Sequence, residues 1–171
     1  LFTKMEVNSK EKGTKYGVKL SSFEVNLEKI YDLLAPESTK KKSLKLHHEE
    51  NKVEYNIKDL SSVLVMSLDE IKGYMSVISQ RTQTESRAKR RSKSHIFFKL
   101  SLEQRNVMDE SLKLSSLTIV DMAGSDLLTK EKAKHISSDE IKKLNNETKA
   151  LKHVIDVISE FESKNHRNVQ E

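Results

Sequence analysis

Apolar positions recur along the chain with two different periods, and each change of period marks a new element. Residues 1–16 are polar and irregular, and the first strong signal begins at Val18. There Phe23, Val25 and Leu27 alternate with Ser22, Glu24 and Asn26, the period of two of a half-buried strand. Ile30, Leu33 and Leu34 then fall at helical spacing and predict a short helix over 28–34, closed by Ala35-Pro36. After a polar loop over 36–43, short strands are expected at Leu44–Leu46 and Val53–Ile57, about the turn-prone His48–Asn51. Ser67 is a suitable N-cap for a helix whose apolar stripe is Leu68, Ile71, Met75 and Ile78. Beyond the basic stretch 86–94, Ile96, Phe98, Leu100 and Leu102 alternate with Phe97, Lys99, Ser101 and Glu103 in a long strand. Residues 104–111 read as a hairpin or loop, and Leu117–Val120 as an interior strand running into Asp121-Met-Ala-Gly124. The clearest element is last. Ser137 and Glu140 form a capping box, after which Ile141, Leu144, Thr148, Leu151, Ile155 and Ile158 recur at spacings of three and four. That predicts one amphipathic helix over about 139–161.

Alternating strands and helices indicate an α/β domain with a central, mixed sheet flanked by helices. The last helix has a period that suits either docking on a sheet or a coiled-coil seam, and Thr148 at a seam position favours docking. The chain has 171 residues, room for one ordinary domain, but its hydrophobic share of 35% implies a thin core. With no cysteine, a disulfide scaffold, a thiolate metal site and a cysteine nucleophile are all excluded within this stretch, and an intracellular protein is the natural expectation. No apolar run is long enough for a membrane-spanning helix. The N-terminus lacks a signal-peptide pattern and an initiating Met, so an internal piece of a longer chain is expected.

The net charge is +5, concentrated at Arg87, Lys89, Arg90, Arg91 and Lys93. Such a patch could meet a polyanion, but aromatics at 5% and the lack of any reading module weigh against nucleic acid. His47-His48 ahead of Glu49-Glu50 reads as plain surface, since neighbours on a strand point to opposite faces. A strand that ends in Asp121 and is followed by Gly124 is different. Many nucleotide enzymes present a metal-coordinating carboxylate in that way.

Four segments, in this order, resemble the kinesin motor domain family, and conventional kinesin heavy chain in particular. Phe23-Glu-Val-Asn-Leu-Glu-Lys-Ile-Tyr-Asp-Leu-Leu34 is similar to F-x-E-I-Y-x-x-x-I-x-D-L-L, one residue shorter between Phe and Glu. Arg91-Ser-Lys-Ser-His95 resembles the end of the switch I motif N-x-x-S-S-R-S-H. Leu117-Thr-Ile-Val-Asp-Met-Ala-Gly-Ser-Asp126 resembles the switch II motif L-x-x-V-D-L-A-G-S-E. Leu144-Asn-Asn-Glu-Thr-Lys-Ala-Leu-Lys-His-Val-Ile155 is similar to the relay-helix pattern I-N-x-S-L-x-A-L-x-x-V-I.

The resemblance implies a partial motor domain of the P-loop NTPase type over 1–171, with switch I at about 86–95, switch II at about 117–138 and the relay helix at about 139–161. It implies ATP and Mg as ligands. Ser92 and Asp121 would hold the magnesium shell through bound water, and the Gly124 amide would meet the terminal phosphate. Lys93 and Asp126 would form the pair that closes the site. Lys130, Lys132, Lys134, Lys142 and Asn145 would face microtubules, which places the protein in the cytoplasm on the cytoskeleton. His95 takes a loop-positioning role rather than that of a catalytic base.

Departures from the motifs leave a second reading open. Ala88 stands for the switch I Asn, Arg91 for the first Ser, Lys93 for Arg and Asp126 for Glu, while Glu147-Thr148 replaces Ser-Leu in the relay helix. Lys93 and Asp126 keep the charge signs but span less distance, and lysine lacks arginine's two-pronged fork. No glycine is followed by lysine, so G-x-x-x-x-G-K-[ST] is absent from this stretch. In the family that loop lies further N-terminal, on the strand at the centre of the sheet, whose loss would leave buried edges unpaired. The alternative is a degenerate fungal kinesin-like protein without ATPase activity, an adaptor for class V myosin transport or other cargo.

Overall fold

A 13-residue strand, β1 (Thr14–Asn26), lies antiparallel to a second of equal length, β7 (Ser94–Asn106), in unbroken register from Thr14↔Asn106 to Asn26↔Ser94. In this computed structural model the described residues are 1–36, 38, 42–48, 55–82, 94–123 and 137–167. They fall into two units, Leu1–Ala123 and Gly124–Glu171.

The first unit is built on that ladder. Between the two long strands come β2 (Lys29–Asp32), β3 (Ser43–Leu44), β4 (Leu46–His48), β5 (Tyr55–Ile57) and β6 (Val63–Leu64), and after them β8 (Leu112–Asp121). The main sheet has the order β3-β2-β1-β7-β8, with β6 also pairing β1, while β4 and β5 form a separate pair. Helices α1 (Phe2–Lys12) and α2 (Leu68–Thr82) complete the described part of the unit. This is the expected sheet-with-helices class, and every described pairing is antiparallel.

The core sits on one face of the ladder. Val18, Leu20, Val65 and Ile71 are buried together, and Phe2, Met5, Tyr74, Phe98, Leu100 and Leu102 pack against them. Register explains the grouping: Val18 pairs Leu102 and Leu20 pairs Leu100, and partners in a ladder share a face. The same face continues along β1 through Ser22 and Glu24, both buried. The Ser22 hydroxyl is satisfied by donating to the Phe97 carbonyl at 2.9 Å. Phe23 and Phe97 stack at 4.7 Å on the opposite face, which is only half-covered. The sequence pattern named Phe23, Val25 and Leu27 as the buried face of this strand. The structure inverts that, because the covering elements lie over Val18 and Leu20, and side-chain polarity at 22 and 24 is met by hydrogen bonds.

Two other expectations are corrected. Residues 1–16, read as irregular, contain α1, which holds to the core by Phe2 and Met5 and ends at Gly13 in the left-handed region (φ 59°). Two anchors in 11 residues are too sparse a stripe to register as periodic. The helix expected over 28–34 is instead a hairpin. Leu27 and Glu28 both adopt positive φ (51° and 67°), the conformation of a two-residue turn whose twist suits antiparallel strands. Ile30 then pairs Val25 across the ladder. Spacings of three and one among Ile30, Leu33 and Leu34 fit either period, and pairing decides.

The end of β2 is fixed by a buried carboxylate. Asp32 Oδ1 accepts from the amides of Leu34 (2.7 Å) and Ala35 (3.0 Å), and Oδ2 from that of Ser61 (2.7 Å). The Arg81 guanidinium, in the last turn of α2, donates to the carbonyls of Leu33 and Ala35. One turn thereby satisfies a carboxylate and a cation and ties β2, the 61 segment and α2 together. The start of α2 is capped as expected, with the Glu70 amide donating to Ser67 Oγ at 3.1 Å.

The apolar run Leu117–Val120 predicts an interior strand for β8. Among the described strands it has one neighbour, β7, and its apolar residues are exposed on both faces: Leu112 and Leu114 on one, Leu117 and Ile119 on the other. The hairpin joining it to β7 is the connection expected at 104–111, held by Asp109 Oδ1 accepting from the Ser111 amide at 2.9 Å.

In the second unit, α3 (Ser138–Arg167) begins at the expected capping box, which is reciprocal. The Glu140 amide donates to Ser137 Oγ at 3.2 Å, and the Ser137 amide to Glu140 Oε2 at 3.3 Å. The helix continues past the expected end at 161, and Thr148 returns its hydroxyl to the Leu144 carbonyl at 2.9 Å. That back-bond lets a polar residue occupy the apolar stripe.

Replacing Asp32 by Ala strands three amides, and a loss of about 3 kcal/mol or more is expected in denaturant unfolding of the intact protein. Asp109 gives a smaller, pH-dependent signal. Hydrogen bonds from Ser111, side chain first and backbone second, hold its carboxyl below the ordinary Asp value. A lowered folded value means the contribution is present above the ordinary range and lost as pH falls through the folded one. A carbon-detected NMR titration is expected to show this, with Ser111→Ala moving the midpoint back up.

Candidate functional site

Antiparallel pairing of β7 with β8 brings the start of one strand beside the end of the other, with Ile96 opposite Asp121. On its other side β7 pairs β1, with Asn26 opposite Ser94 and Glu24 opposite Ile96. Three chain ends therefore meet at one end of the sheet: Glu24–Asn26, Ser94–Ile96 and Asp121–Ala123. The basic segment expected to be switch I precedes Ser94 in sequence, and the segment expected to be switch II continues after Ala123. Strand pairing alone makes these two attachment points neighbours.

Hydrogen bonds fasten them. His95 is buried, and its Nδ1 accepts from the Ala123 amide at 3.2 Å. Accepting there puts the neutral ring's proton on Nε2. The side chain thus ties the first turn beyond β8 to the start of β7, which is a positioning role. On the opposite face Ser94, 2% exposed, donates its hydroxyl to Glu24 Oε1 at 2.6 Å and accepts from Asn26 Nδ2 at 2.8 Å.

Asp121 ends β8 as an exposed carboxylate, the hard oxygen donor that magnesium takes. In type and place it fits the expected metal-shell role. Ser92, Lys93, Gly124, Asp126, Lys130, Lys132 and Lys134 lie outside the described residues, as do Ala88 and Arg91. Lys142 and Asn145 belong to the second unit, three residues apart near the start of α3, and so on one side of that helix. Lys142 is exposed and Asn145 half-buried. His47 and His48 are exposed on β4, and Glu49 and Glu50 lie outside the described residues.

Sequence reading passed over Glu24, Asn26 and Ser94 as site residues. The available signals were Glu24, a carboxylate in period-two register with Val18, Leu20 and Ser22, and the places of Glu24 and Ser94 in the F-x-E-I-Y and S-S-R-S-H patterns.

Comparison with known proteins finds related sequences. The family model for the kinesin motor domain matches residues 1–169. A kinesin-related protein of Saccharomyces cerevisiae, SMY1, is 36% identical over 162 residues, covering 93% of this chain and 24% of that protein. Kinesin heavy chain of Neurospora crassa is 33% identical over 155 residues, 86% of this chain and 16% of its own length. Human kinesin-1 heavy chain is 31% identical over 159 residues, 90% of this chain and 16% of its own. The chain thus spans less than a quarter of each.

Removing the His95 ring deletes the acceptor for the Ala123 amide and opens a cavity. His95→Ala is expected to cost about 2–4 kcal/mol in thermal or denaturant unfolding of the intact protein. His95→Asn, which keeps an acceptor close to the Nδ1 position, is expected to recover a substantial part.

Proposed function

The chain belongs to the kinesin motor domain family, and from that premise we propose that it is the switch-bearing part of a microtubule-binding motor domain. In the intact protein this domain binds MgATP and drives ATP-dependent movement or transport along microtubules. The observation that carries the proposal is the sheet end where Asp121–Ala123 and Ser94–His95 are fastened side by side. A phosphate sensor needs two segments that answer to the same group, and adjacent rigid strand ends give both a common origin.

In this reading the roles are those of the family motifs. Ser92 and Asp121 hold the magnesium shell, and the Gly124 amide donates to the terminal phosphate. Lys93 and Asp126 pair across the closed site. Magnesium, when bound, neutralises charge on the phosphates. His95 keeps the two segments in common register, whichever nucleotide state they report. On α3, Lys142 and Asn145 belong to the relay helix, and with Lys130, Lys132 and Lys134 they offer cationic and polar contacts to an acidic tubulin surface. The protein then resides on the cytoskeleton in the cytoplasm. No helix among the described residues is long and apolar enough to cross a membrane.

The substitutions at Ala88 and Arg91 favour a second reading. An alanine cannot replace the hydrogen bonds of the switch I Asn, and an added guanidinium changes how phosphate is met. A protein of this kind has left ATP hydrolysis behind and serves as a cytoskeletal adaptor, in class V myosin transport or for other cargo.

Labelled ATP binding to the intact protein, with and without magnesium, separates the two when run beside microtubule co-pelleting. The motor reading expects magnesium-dependent binding, weakened at least about tenfold by Asp121→Asn, and pelleting that differs between ATP and ADP. Pelleting without magnesium-dependent nucleotide binding supports the adaptor and overturns the motor.

A further inference from the structure

Consecutive residues of a strand leave opposite faces, and at the start of β7 both are used as anchors. His95 reaches the chain after β8, whereas Ser94 turns to β1. Its hydroxyl donates to Glu24 Oε1 at 2.6 Å while accepting from Asn26 Nδ2 at 2.8 Å. Ser94 is 2% exposed and Glu24 8%. A hydroxyl that donates to one side chain and accepts from another has a single rotor position. At 2.6 Å this is a short O–H···O hydrogen bond.

Such an arrangement is a poor way to fill a core. Burying a carboxylate is unfavourable unless it is hydrogen-bonded, and the same face of β1 is filled by Val18 and Leu20 a few residues earlier. The change from Val and Leu to Ser and Glu along one face occurs at the end of the strand next to Ser94, where the switch I-like segment joins the sheet. Asn26 stands where the F-x-E-I-Y motif has tyrosine, so its bond to Ser94 belongs to this chain's own solution.

We infer that Glu24 is a positioning residue for the switch I-like segment. Through the Ser94 hydroxyl, locked in turn by Asn26, it sets the point and direction at which the chain enters β7, two residues after Ser92. Its consequence for nucleotide rests on the MgATP reading above. Its local structural consequence does not.

Amide hydrogen exchange and labelled MgATP binding, measured on the intact protein, test this with three variants. Glu24→Ala is expected to speed exchange about tenfold at 94–97 while the ladder around Leu100 keeps its protection. It also weakens MgATP binding about tenfold. Glu24→Gln, which keeps an Oε1 acceptor, stays within about threefold of wild type in both measurements. Leu20→Ala, a core control on the same strand, raises exchange along the whole ladder. If Glu24→Ala behaves like Leu20→Ala, or leaves 94–97 protected, the inference is overturned. Should Glu24→Ala fail to accumulate, Ser94→Ala removes the intervening hydroxyl and must give the same local pattern. If the wild-type protein binds no MgATP, the motor reading falls, and the exchange pattern alone decides the positioning role.

Discussion

The antiparallel ladder between β1 and β7 is the constraint on which the rest depends. Because its register is unbroken from Thr14↔Asn106 to Asn26↔Ser94, it decides which side chains share a face and which chain ends share an edge. Slipping it by one residue would put Val18 and Leu20 on the opposite face from Leu100 and Leu102. It would also part Asn26 from Ser94. The contacts that bury the core and those that build the site are therefore not independent: one register specifies both. Apolar pairs dominate its middle and polar pairs its end, so stability is generated away from the place where geometry has to be specified.

At that end the sheet solves a polar problem in two directions. Glu24, Ser94 and Asn26 form one connected set on the core face, while His95 carries the connection across β7 to Ala123. Buried networks of this type contribute little net stability but are costly to break. That asymmetry makes this end of the sheet a well-specified joint between β1, β7 and the end of β8. Asp32 and Arg81 apply the same principle at the other end of the β1–β2 hairpin, where backbone amides and carbonyls replace side chains as partners.

Sequence periodicity revealed much of the fold, and its errors have a common cause. β7, α2, the capping box at Ser137 and the hairpin at 104–111 were legible because each carries a local signal: a clean alternation, a cap or a turn. The hairpin at Leu27-Glu28 was not, since neither residue is a glycine and nothing local announces two positive φ angles. Nor was the buried face of β1, because Ser22 and Glu24 look like solvent positions until their partners arrive from residues about 70 positions away. The site divides along the same line. Asp121, His95, Ser94 and Glu24 all lie in segments recognisable from motif order, whereas the bonds that join Glu24, Asn26 and Ser94 follow only from a long-range register.

β8 extends this reasoning to the sheet as a whole. Leu114 on one face and Leu117 with Ile119 on the other are the composition of a strand covered on both sides, yet all three are exposed. A half-solvated edge strand ordinarily keeps one polar face and blunts its free edge with charge; β8 carries Ser115, Ser116 and Thr118 between its leucines and a single lysine, Lys113. Its sequence is therefore closer to that of a strand covered on both faces than to that of an ordinary edge strand. Asp121 ends this strand opposite Ile96, so its backbone position is set by the pairing with β7 rather than by its own loop.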